Sequence, residues 1–374
     1  MPQKKKICIL SELAYSLLIG KGIRGGSELQ LTILAKELVK RSYDVSFITF
    51  DNSISSKEIN EGISVYNIFD YKNSGYSYLN PINLYKIFKI LKQINADIII
   101  QGAVTPLTGI LAFFSRLNNK SFIYSIESDD DIRIHLSIKS IKDLKNLFFR
   151  FGVKNSNIVI CQTNYQRNLL KQTIDRDGVV IKNFYPFVIN QVNKKDSSMT
   201  KILWVGRLRK EKRPDIFLQV AKLFPEHSFW MIGGPSSVNP NYYYEIKENA
   251  EKIKNLDFIG FVPHYQMQEY YKKSVFLVNT SANEGFPNTF LEAWGNEIPV
   301  ISLNFDPDEI ICRFKLGFHS STINDLVKDM GQLLNNENLR KTMASNGKDY
   351  VLREHNNTNI INKYEQIFNE IKIC

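Results

Sequence analysis

Two carboxylates near the end of the chain are the strongest chemical signal in the sequence. Glu284 and Glu292 lie eight residues apart in the string EGFPNTFLE, after a predicted strand and the dipeptide Thr280–Ser281. On a loop, Glu284 can hold ligand hydroxyl groups, and inside a helix Glu292 can accept hydrogen bonds from a ribose diol. The alternative is a surface loop before an ordinary capped helix. The position of the whole string, directly after a strand, favours a binding site.

Three residues between these carboxylates predict a helix start that can bind an anion. Pro287 suits the first helical position, because its missing N–H is not needed there. The next backbone amides, those of Asn288 and Thr289, would lie at the helix N-terminus, which attracts negative charge. The segment therefore combines hydroxyl-binding carboxylates with a predicted anion site.

A basic segment, GRLRKEKRP, follows a second predicted strand at 201–205. Gly206 forms the turn, and Arg207 and Lys212 are cations that can neutralise a diphosphate at such a place. The alternative is a basic solvated loop.

A weaker glycine signal lies near the start of the chain. Gly25 and Gly26 would let the backbone approach a phosphate closely. Their spacing is not G-x-G-x-x-G, which disfavours a nicotinamide site.

Short apolar runs alternate with helical patterns along the chain, as in parallel α/β sheets. This alternation predicts the fold class α/β, with two tandem Rossmann-like doubly wound domains facing a cleft. Ser27 and Gln30 have the spacing of a capping box for the first helix, and the polar stretch 187–199 is predicted to be a linker. The predicted strands are 7–10, 45–49, 96–100, 122–126, 157–161, 201–205, 229–232, 256–259, 275–279 and 300–303.

Composition narrows the class of protein. Hydrophobic residues make up 43% of the chain and charged residues 23%, which excludes a disordered chain, a collagen-like fibre and a disulfide-stapled scaffold. The apolar runs are too short for a transmembrane helix or a signal peptide. We therefore expect a cytosolic protein, whose thiols are reduced and show no zinc spacing: Cys8, Cys161, Cys312 and Cys374.

Positive charge is concentrated in the first half. Residues 1–195 hold 27 Lys and Arg against 16 Asp and Glu, whereas residues 196–374 hold 21 against 22. Such asymmetry suggests an anionic partner, which can be nucleic acid, a membrane surface or an acidic substrate. No nucleic-acid-binding motif accompanies the charge, so we expect no nucleic acid.

Three segments together resemble the GT-B-fold retaining glycosyltransferases of family 4, also called glycosyl transferases group 1. They are GGSELQLTILAKEL, WVGRLRKEKRPD and NTSANEGFPNTFLEAWGNEIPVIS, and the last matches the family's E-x7-E segment almost letter for letter. The resemblance spans nearly the whole chain. It implies an acceptor-binding domain at 1–190, a nucleotide-sugar-binding domain at 191–359, and a helix at about 360–374 that crosses back to the first domain.

The resemblance also implies roles for matching positions. Arg207 and Lys212 would bind the donor diphosphate, Glu284 would hold the hydroxyls of the transferred sugar, and Glu292 would bind the ribose. Backbone near the donor would come from several further positions: Gly25 and Gly26 on the phosphates, Gly206 at the turn, Gly260 to Val262 around the base, Gly285 and Phe286 beside the sugar, and Asn288 and Thr289 at the helix start.

The chain departs from the family at one position. Many members end a strand of the first domain with a catalytic-site His, where this chain has Glu127 followed by Asp129 and Asp131. Either Glu127 or Asp129 would then orient the acceptor. Asp129 and Asp131 also form a D-x-D pattern, which binds a metal in the other major transferase fold, but the two-domain layout argues against a metal here. The histidines are scattered and are read as structural or surface residues: His135, His227, His264, His319 and His355.

The implied donor substrate is a nucleoside-diphosphate sugar, most simply a UDP- or GDP-sugar, and no further cofactor is required. The acceptor is a glycan or a lipid-linked glycan. Two basic stretches with aromatic residues, 82–92 and 139–154, suit an anionic membrane surface, although they also fit solvated helices with their apolar faces in the core. We therefore predict a peripheral enzyme of the inner membrane face.

Other functions fit parts of the sequence. A soluble transferase would act on a free sugar or a protein, and a sugar-nucleotide epimerase would share the two-domain architecture. A non-catalytic sugar-nucleotide-binding subunit would explain the missing His. The carboxylate pair together with Arg207 and Lys212 favours transfer over epimerisation.

Overall fold

The structure is a computed structural model that describes residues 4–11, 17–18, 25–50, 57–68, 80–137, 143–187, 200–236 and 239–371. Contacts group the chain into two compact units, Met1–Phe184 with Asn357–Cys374 and Tyr185–Asn356. The predicted boundary between 190 and 191 lies outside the described residues, as does nearly all of the predicted linker.

The first unit is built on one twisted, mostly parallel sheet. Its strands have the order β3-β4-β2-β1-β5-β6-β7-β8, and β3 is antiparallel to β4. The chain order reverses between β1 and β5, which makes the sheet doubly wound. The strands are β1 (Lys6–Leu10), β2 (Asp44–Thr49), β3 (Lys57–Asn60), β4 (Ile63–Asn67), β5 (Ile98–Gln101), β6 (Ser121–Ser125), β7 (Ile158–Cys161) and β8 (Val179–Val180).

Both faces of this sheet are covered. Cys8 and Leu10 belong to the interior on one face, while Ile7 and Ile9 belong to the interior on the other, because successive side chains of a strand alternate. This explains why the strand reads as a continuous apolar run. The helices are α1 (Gly26–Lys40), α2 (Pro81–Ile94), α3 (Leu107–Leu117), α4 (Leu144–Asn155) and α5 (Asn164–Ile174).

The start of α1 differs from the prediction. Gly25 is the N-cap, and no side chain caps the helix. The Gln30 amide instead donates to the Phe184 carbonyl at 3.0 Å and accepts from the Phe184 amide at 2.7 Å. The predicted capping box of Ser27 and Gln30 is therefore wrong, because Gln30 binds the backbone at the end of the first segment of the unit.

The second unit contains a fully parallel sheet in the order β11-β10-β9-β12-β13-β14. Its two faces are covered by separate apolar clusters, with Ile202 and Trp204 in one and Leu203 in the other. The order reverses between β9 and β12. The strands are β9 (Lys201–Val205), β10 (Ser228–Ile232), β11 (Leu256–Gly260), β12 (Ser274–Asn279), β13 (Val300–Leu303) and β14 (Gly317–Ser320).

Helices connect these strands by the crossovers that parallel strands require. The two sheets confirm the prediction of two tandem doubly wound α/β domains. The helices are α6 (Pro214–Leu223), α7 (Pro240–Glu251), α8 (Met267–Lys272), α9 (Asn288–Gly295), α10 (Ile310–Phe314), α11 (Ile323–Asn335) and α12 (Glu337–Glu354).

The helix α13 (Asn357–Glu370) returns to the first unit. Ile361 and Phe368 are fully buried there, in the same cluster as the core residues of α1. The Glu365 carboxylate pairs with Arg41 at 2.9 Å, which fixes the helix against the end of α1. None of the helices in the described part of the chain has the length and hydropathy needed to span a bilayer.

Candidate functional site

The predicted binding residues of the second unit follow β9 and β12. These strands are neighbours in the sheet, with Leu203 paired to Leu277, and the chain order reverses between them. Parallel α/β sheets bind ligands outside the carboxyl ends of strands at such a switch point. Gly206 follows β9 and Thr280 follows β12, so the two loops that carry the sequence motifs begin side by side.

The loop after β9 makes a close backbone approach at Gly206. The Gly206 amide donates to the Ile232 carbonyl at 3.0 Å. A Cβ at Gly233 would lie only 1.9 Å from the Gly206 carbonyl oxygen. Arg207 is half-buried in this turn, and the Leu208 amide donates to Gly234 at 3.1 Å. The glycines thus let the basic loop pass across the end of β10.

Thr280 joins the basic loop to the loop after β12. The Trp204 indole donates to the Thr280 hydroxyl oxygen at 3.0 Å, and that oxygen lies 2.7 Å from the Lys212 carbonyl. Arg213, in the left-handed region with φ 46°, donates from Nε to the Thr280 carbonyl at 2.6 Å. The Ala282 amide donates to the Glu211 carbonyl at 2.8 Å. These bonds fix the two loops against each other.

This arrangement brings Lys212 and Glu284 together. The Lys212 ammonium forms an ion pair with the Glu284 carboxylate, and both side chains are mostly buried, with 25% and 14% exposed. Two residues predicted from separate motifs, 72 positions apart, therefore meet at the switch point. A cation next to a carboxylate can bind a phosphate and a neighbouring hydroxyl group at once.

The helix after Glu284 begins one residue later than predicted. Pro287 is the N-cap with extended backbone, and α9 begins at Asn288. Asn288 and Thr289 are thus the first two helical residues, where amides have no intrahelical acceptor. The predicted placement of Pro287 at the first helical position is wrong by one residue. Phe286 is buried, with its ring 5.0 Å from that of His355.

Glu292 lies on the second turn of α9 and is almost fully buried, with 4% exposed. The Tyr271 hydroxyl donates to its Oε2 at 2.6 Å, and His264 Nε2 lies 3.0 Å from its Oε1. Burial and the adjacent Glu292 carboxylate raise the pKa of Tyr271 well above its usual range, so the phenol stays a donor. Each carboxylate oxygen keeps a further lone pair.

His264 is itself held by an aromatic partner. Its ring stacks on Phe187 with centroids 4.7 Å apart and an interplanar angle of 13°. Gly260, at the end of β11, has φ 77° and accepts a bond from the Gly233 amide at 2.8 Å. Val262 packs into the cluster that also contains Tyr271. The predicted base-binding backbone thus begins at the last residue of β11 and leads into the segment that carries His264.

In the first unit, the Glu127 side chain lies against backbone. A Cβ at Gly102 would lie 2.1 Å from Glu127 Oε1. Burial, with the charges of Glu28 and Asp131, raises the pKa of Glu127 well above its usual range, against hydrogen bonds from the Ser27 side chain and the Ala103 backbone. Glu127 lines a small pocket of the first unit, formed also by Ser27, Gln30, Gln162 and Tyr364.

Asp129 and Asp131 have different hydrogen-bond partners. The Gln166 amide donates to Asp129 at 3.1 Å, and burial raises the pKa of Asp129 to about 6. Asp131 accepts from the amides of Glu127 at 2.9 Å and Ser128 at 3.2 Å, and burial raises its pKa to about 6. The carboxyl groups of the D-x-D pattern thus organise the turn after β6.

The structure groups the candidates of each unit separately. Gly25, Gly26 and Glu127 belong to the first unit, where Ser27 next to Gly26 binds Glu127. Sequence reasoning missed Tyr271 and His264 as the partners of Glu292. Tyr271 lies in α8 and His264 precedes that helix, and no local pattern in the sequence marks either residue as the partner of a carboxylate.

Two family models match consecutive segments of the chain. The model for Glycosyltransferase Family 4 matches residues 24–186, and the model for Glycosyl transferases group 1 matches residues 188–350. Together these segments cover most of the chain, and they agree with the two doubly wound sheets. The chain therefore belongs to the GT-B-fold glycosyltransferases, which confirms the family that its motifs resemble. The retaining course of the reaction stays a prediction.

Individual relatives cover most of the chain. It is 27% identical to an uncharacterized glycosyltransferase of Methanocaldococcus jannaschii, over 86% of this chain and 89% of that protein. It is 24% identical to a Campylobacter jejuni enzyme, the α-1,4-N-acetyl-D-galactosaminyltransferase for GalNAc-α-(1→4)-GalNAc-α-(1→3)-diNAcBac-PP-undecaprenol. That similarity covers 90% of this chain and 93% of that protein. The Anabaena HepE structure with UDP-glucose has a TM-score of 0.73 at 17% identity, and the match covers 98% of this chain and 100% of HepE.

Proposed function

We propose that this chain transfers a hexose-type sugar from a nucleoside-diphosphate donor to an acceptor hydroxyl, with retention of anomeric configuration. The observation that carries the proposal is the Lys212–Glu284 ion pair at the switch point of the second sheet. Lys212, with Arg207, binds the diphosphate, and Glu284 binds hydroxyls of the transferred sugar beside it. The backbone of Gly285 and Phe286 completes the sugar site.

Glu292 binds the ribose of the donor in this proposal. Its two oxygens are oriented by Tyr271 and His264 at 2.6 and 3.0 Å. The lone pairs that remain can accept hydrogen bonds from a diol. The backbone from Gly260 to Val262 frames the base. HepE, which shares the fold, was crystallised with UDP-glucose, and this supports a UDP-sugar as the donor.

The reaction breaks the bond between the anomeric carbon and the donor phosphate oxygen. Negative charge grows on the departing diphosphate, where Lys212, Arg207 and the amides of Asn288 and Thr289 stabilise it. The acceptor oxygen bonds to the anomeric carbon from the same face. Its proton passes to the departing phosphate oxygen, so no separate protein base is needed.

On the acceptor side, the proposal assigns Glu127 to orient the reacting hydroxyl. The structure favours it over Asp129, because Asp129 is bound to Gln166 and is 5% exposed. Glu127 lines a pocket, and its surroundings raise its pKa well above the usual range. A protonated carboxyl can both donate and accept a hydrogen bond, which suits a sugar hydroxyl.

The acceptor we propose is a lipid-linked glycan, used in the assembly of a polysaccharide at the inner membrane face. The Campylobacter jejuni relative is named for an undecaprenol-linked acceptor. In α2, Ile82 and Tyr85 are 65% and 67% exposed beside exposed lysines at 86, 89 and 92. An anionic bilayer would cover these apolar side chains and pair with the lysines.

The helix α4 also exposes apolar side chains, but not all of those that the sequence suggested. Leu144, Phe148 and Phe151 are exposed, but Phe149 is fully buried in the core. Phe88 of α2 also packs inward, 5.5 Å from the Phe114 ring. Both helices therefore have a core face and a separate exposed apolar face. Residues 139–142 of the second basic stretch lie outside the described residues.

Donor binding is tested by thermal unfolding with UDP, GDP, ADP, CMP and their common sugar conjugates. A ligand at 100 times its dissociation constant adds ~2.7 kcal/mol to stability. We expect one UDP-sugar to raise the unfolding temperature of the wild type and of Lys252→Ala, an exposed control, but not of Lys212→Ala. Loss of the shift in both variants, or no shift in the wild type, would contradict the donor site.

Retention is tested on the product of the same donor. We expect NMR spectra of the new glycoside to show the anomeric configuration of the donor sugar. An inverted anomeric centre would refute the proposed front-face course while leaving the donor site intact.

The membrane surface is tested with vesicles that contain an anionic lipid. The triple variant Lys86→Gln, Lys89→Gln, Lys92→Gln loses ~1 kcal/mol of attraction per charge, so its vesicle-bound fraction falls sharply at low salt. Tyr85→Ser also weakens binding, whereas Tyr244→Ser, at an equally exposed tyrosine of the second unit, does not. Equal binding by all variants would exclude this surface.

A further inference from the structure

Asp306, Cys312 and His319 form a cluster in the second unit that the proposed transfer reaction does not use. Asp306 follows β13, Cys312 lies in α10 and His319 lies in β14. One ligand atom from each side chain lies within 4.8 Å of the other two. Three successive elements of the chain thus bring a carboxylate, a thiol and an imidazole to one place.

The backbone around the cluster is fixed on each side. Asp306 Oδ1 accepts from the Ile311 amide at 2.8 Å, and Oδ2 accepts from the Cys312 amide at 3.1 Å. His319 is held in register by the pairing of β14 with β13. Cys312 and His319 are exposed at the surface, so their side chains can turn toward Asp306 and solvent can reach all three.

We propose that Asp306, Cys312 and His319 bind a Zn²⁺ ion, with water as the fourth ligand. Zinc takes these three ligand types at about 2.0–2.3 Å, which places tetrahedral ligand atoms about 3.3–3.8 Å apart. Shifts of about 1 Å in the side chains bring the cluster to that geometry. The soft thiolate selects against Mg²⁺ and Ca²⁺, which prefer oxygen ligands.

Charge and hydrogen bonding fit the ion. The Cys312 thiol shares a hydrogen bond with the Asp306 carboxylate, and Zn²⁺ takes the place of that proton, which leaves to solvent. One thiolate and one carboxylate then neutralise the two positive charges. Each Asp306 oxygen accepts one amide and keeps a lone pair for the metal. These amide bonds orient the carboxylate as outer partners do in zinc sites.

The ion would tie α10 to β14. Asp306 already accepts hydrogen bonds from two amides of α10, those of Ile311 and Cys312. The metal adds a link from the middle of that helix to the last strand of the sheet. This role is separate from donor binding, so the site exists whether or not the chain transfers a sugar.

Cobalt titration of the purified full-length chain tests the site. Co²⁺ replaces Zn²⁺ in such sites and gives a thiolate charge-transfer absorption band. We expect this band to saturate at one equivalent in the wild type, in Cys374→Ser and in His227→Gln. Cys312→Ser removes the band, and His319→Gln weakens cobalt binding about tenfold or more. No band in the wild type, or an equal band in Cys312→Ser and His319→Gln, overturns the proposal.

Alkylation gives a second readout that needs neither activity nor cobalt. Cys8 and Cys161 are buried, whereas Cys312 is exposed, so Cys374→Ser protein reacts with a maleimide chiefly at Cys312. Saturating Zn²⁺ slows this labelling at least tenfold, and a chelator restores it. A labelling rate that zinc leaves unchanged contradicts the site.

Discussion

At the scale of single residues, the buried carboxylate of Glu292 depends on neighbours that come from another segment. Tyr271 and His264 lie on the stretch before β12, and each bonds one carboxylate oxygen. Glu292 and its spacing from Glu284 are visible in the sequence. Its partners are not, because a His and a Tyr, 28 and 21 positions away, carry no local pattern that points to a carboxylate.

Tyr271→Phe tests whether this orientation matters for the donor. The change removes a hydrogen bond to a buried carboxylate, which is worth roughly 1.5–3 kcal/mol. We expect the dissociation constant for the donor nucleotide, measured by calorimetric titration, to rise about tenfold or more. Tyr244→Phe, at an exposed tyrosine of the same unit, is the control. Unchanged donor affinity in Tyr271→Phe would mean that the hydrogen bond from Tyr271 to Glu292 does not contribute to donor binding.

Asp129 makes the stability of the folded protein depend on pH. Its pKa is raised to about 6 by burial, compared with ~3.9 in an unfolded chain. The native state therefore binds more protons between pH 4 and pH 6, and stability falls as the pH rises through that window. Asp129→Asn keeps an acceptor for Gln166 and removes this contribution, which is roughly 2–3 kcal/mol.

Urea unfolding followed by far-ultraviolet circular dichroism at pH 4, 5, 6 and 7 measures the effect. We expect a smaller loss of stability over this range in Asp129→Asn than in the wild type. Parallel pH profiles for the two proteins would mean that Asp129 titrates in its ordinary range.

At the scale of elements, apolar periodicity predicts the strands well because nearly all of them are buried on both faces. The strand Ile158–Cys161, for example, is a continuous apolar run, and in Lys201–Val205 every residue after Lys201 is apolar. The β3–β4 hairpin was not predicted. Its turn, with positive φ at Glu61 and Gly62, lacks the common Asn-Gly or Asp-Gly pair, and β3 is an exposed polar edge strand.

The close packing of α3 against α4 is another feature that the sequence does not predict. A Cβ at Gly152 of α4 would lie 2.4 Å from the Thr108 carbonyl group of α3, and Gly109 approaches the Phe148 carbonyl in the same way. These glycines lie 43 residues apart, so no short-range pattern marks the contact. Without them, the two helices could not approach so closely.

Gly152→Ala tests this contact. Overpacking against backbone typically costs about 1–3 kcal/mol, so we expect the urea midpoint of the first unit to fall. The matched control is Gly331→Ala in the middle of α11, where a Cβ meets nothing within 4 Å. That change should raise stability by about 0.5–1 kcal/mol. A neutral Gly152→Ala would mean that α3 and α4 separate without cost.

At the scale of the whole molecule, the chain leaves the first unit at Phe184 and returns to it at Asn357. Sequence periodicity predicts an amphipathic helix near the end of the chain. It does not indicate which sheet that helix covers, because either unit offers an apolar surface. Contacts between residues distant in sequence, such as the ion pair of Arg41 with Glu365, determine that α13 covers the first unit.

Phe368→Ala tests the return of α13. Phe368 is fully buried, and such a truncation typically costs about 3–5 kcal/mol. The three tryptophans, Trp204, Trp230 and Trp294, all lie in the second unit, so their fluorescence reports that unit alone. We expect the circular dichroism transition to move to lower urea while the fluorescence transition stays in place. A shift of the fluorescence transition alone would assign α13 to the second unit.

The return of α13 sets an order for events on the ribosome. Residues 4–184 emerge first, yet the sheet face that α13 covers stays open until residues 357–371 have been translated. The intervening 185–356 segment needs roughly ten to thirty seconds at typical elongation rates. The second unit is continuous in sequence and can fold in that interval, so the half of the protein made first is completed last. Its open apolar face is then a natural target for a chaperone during synthesis.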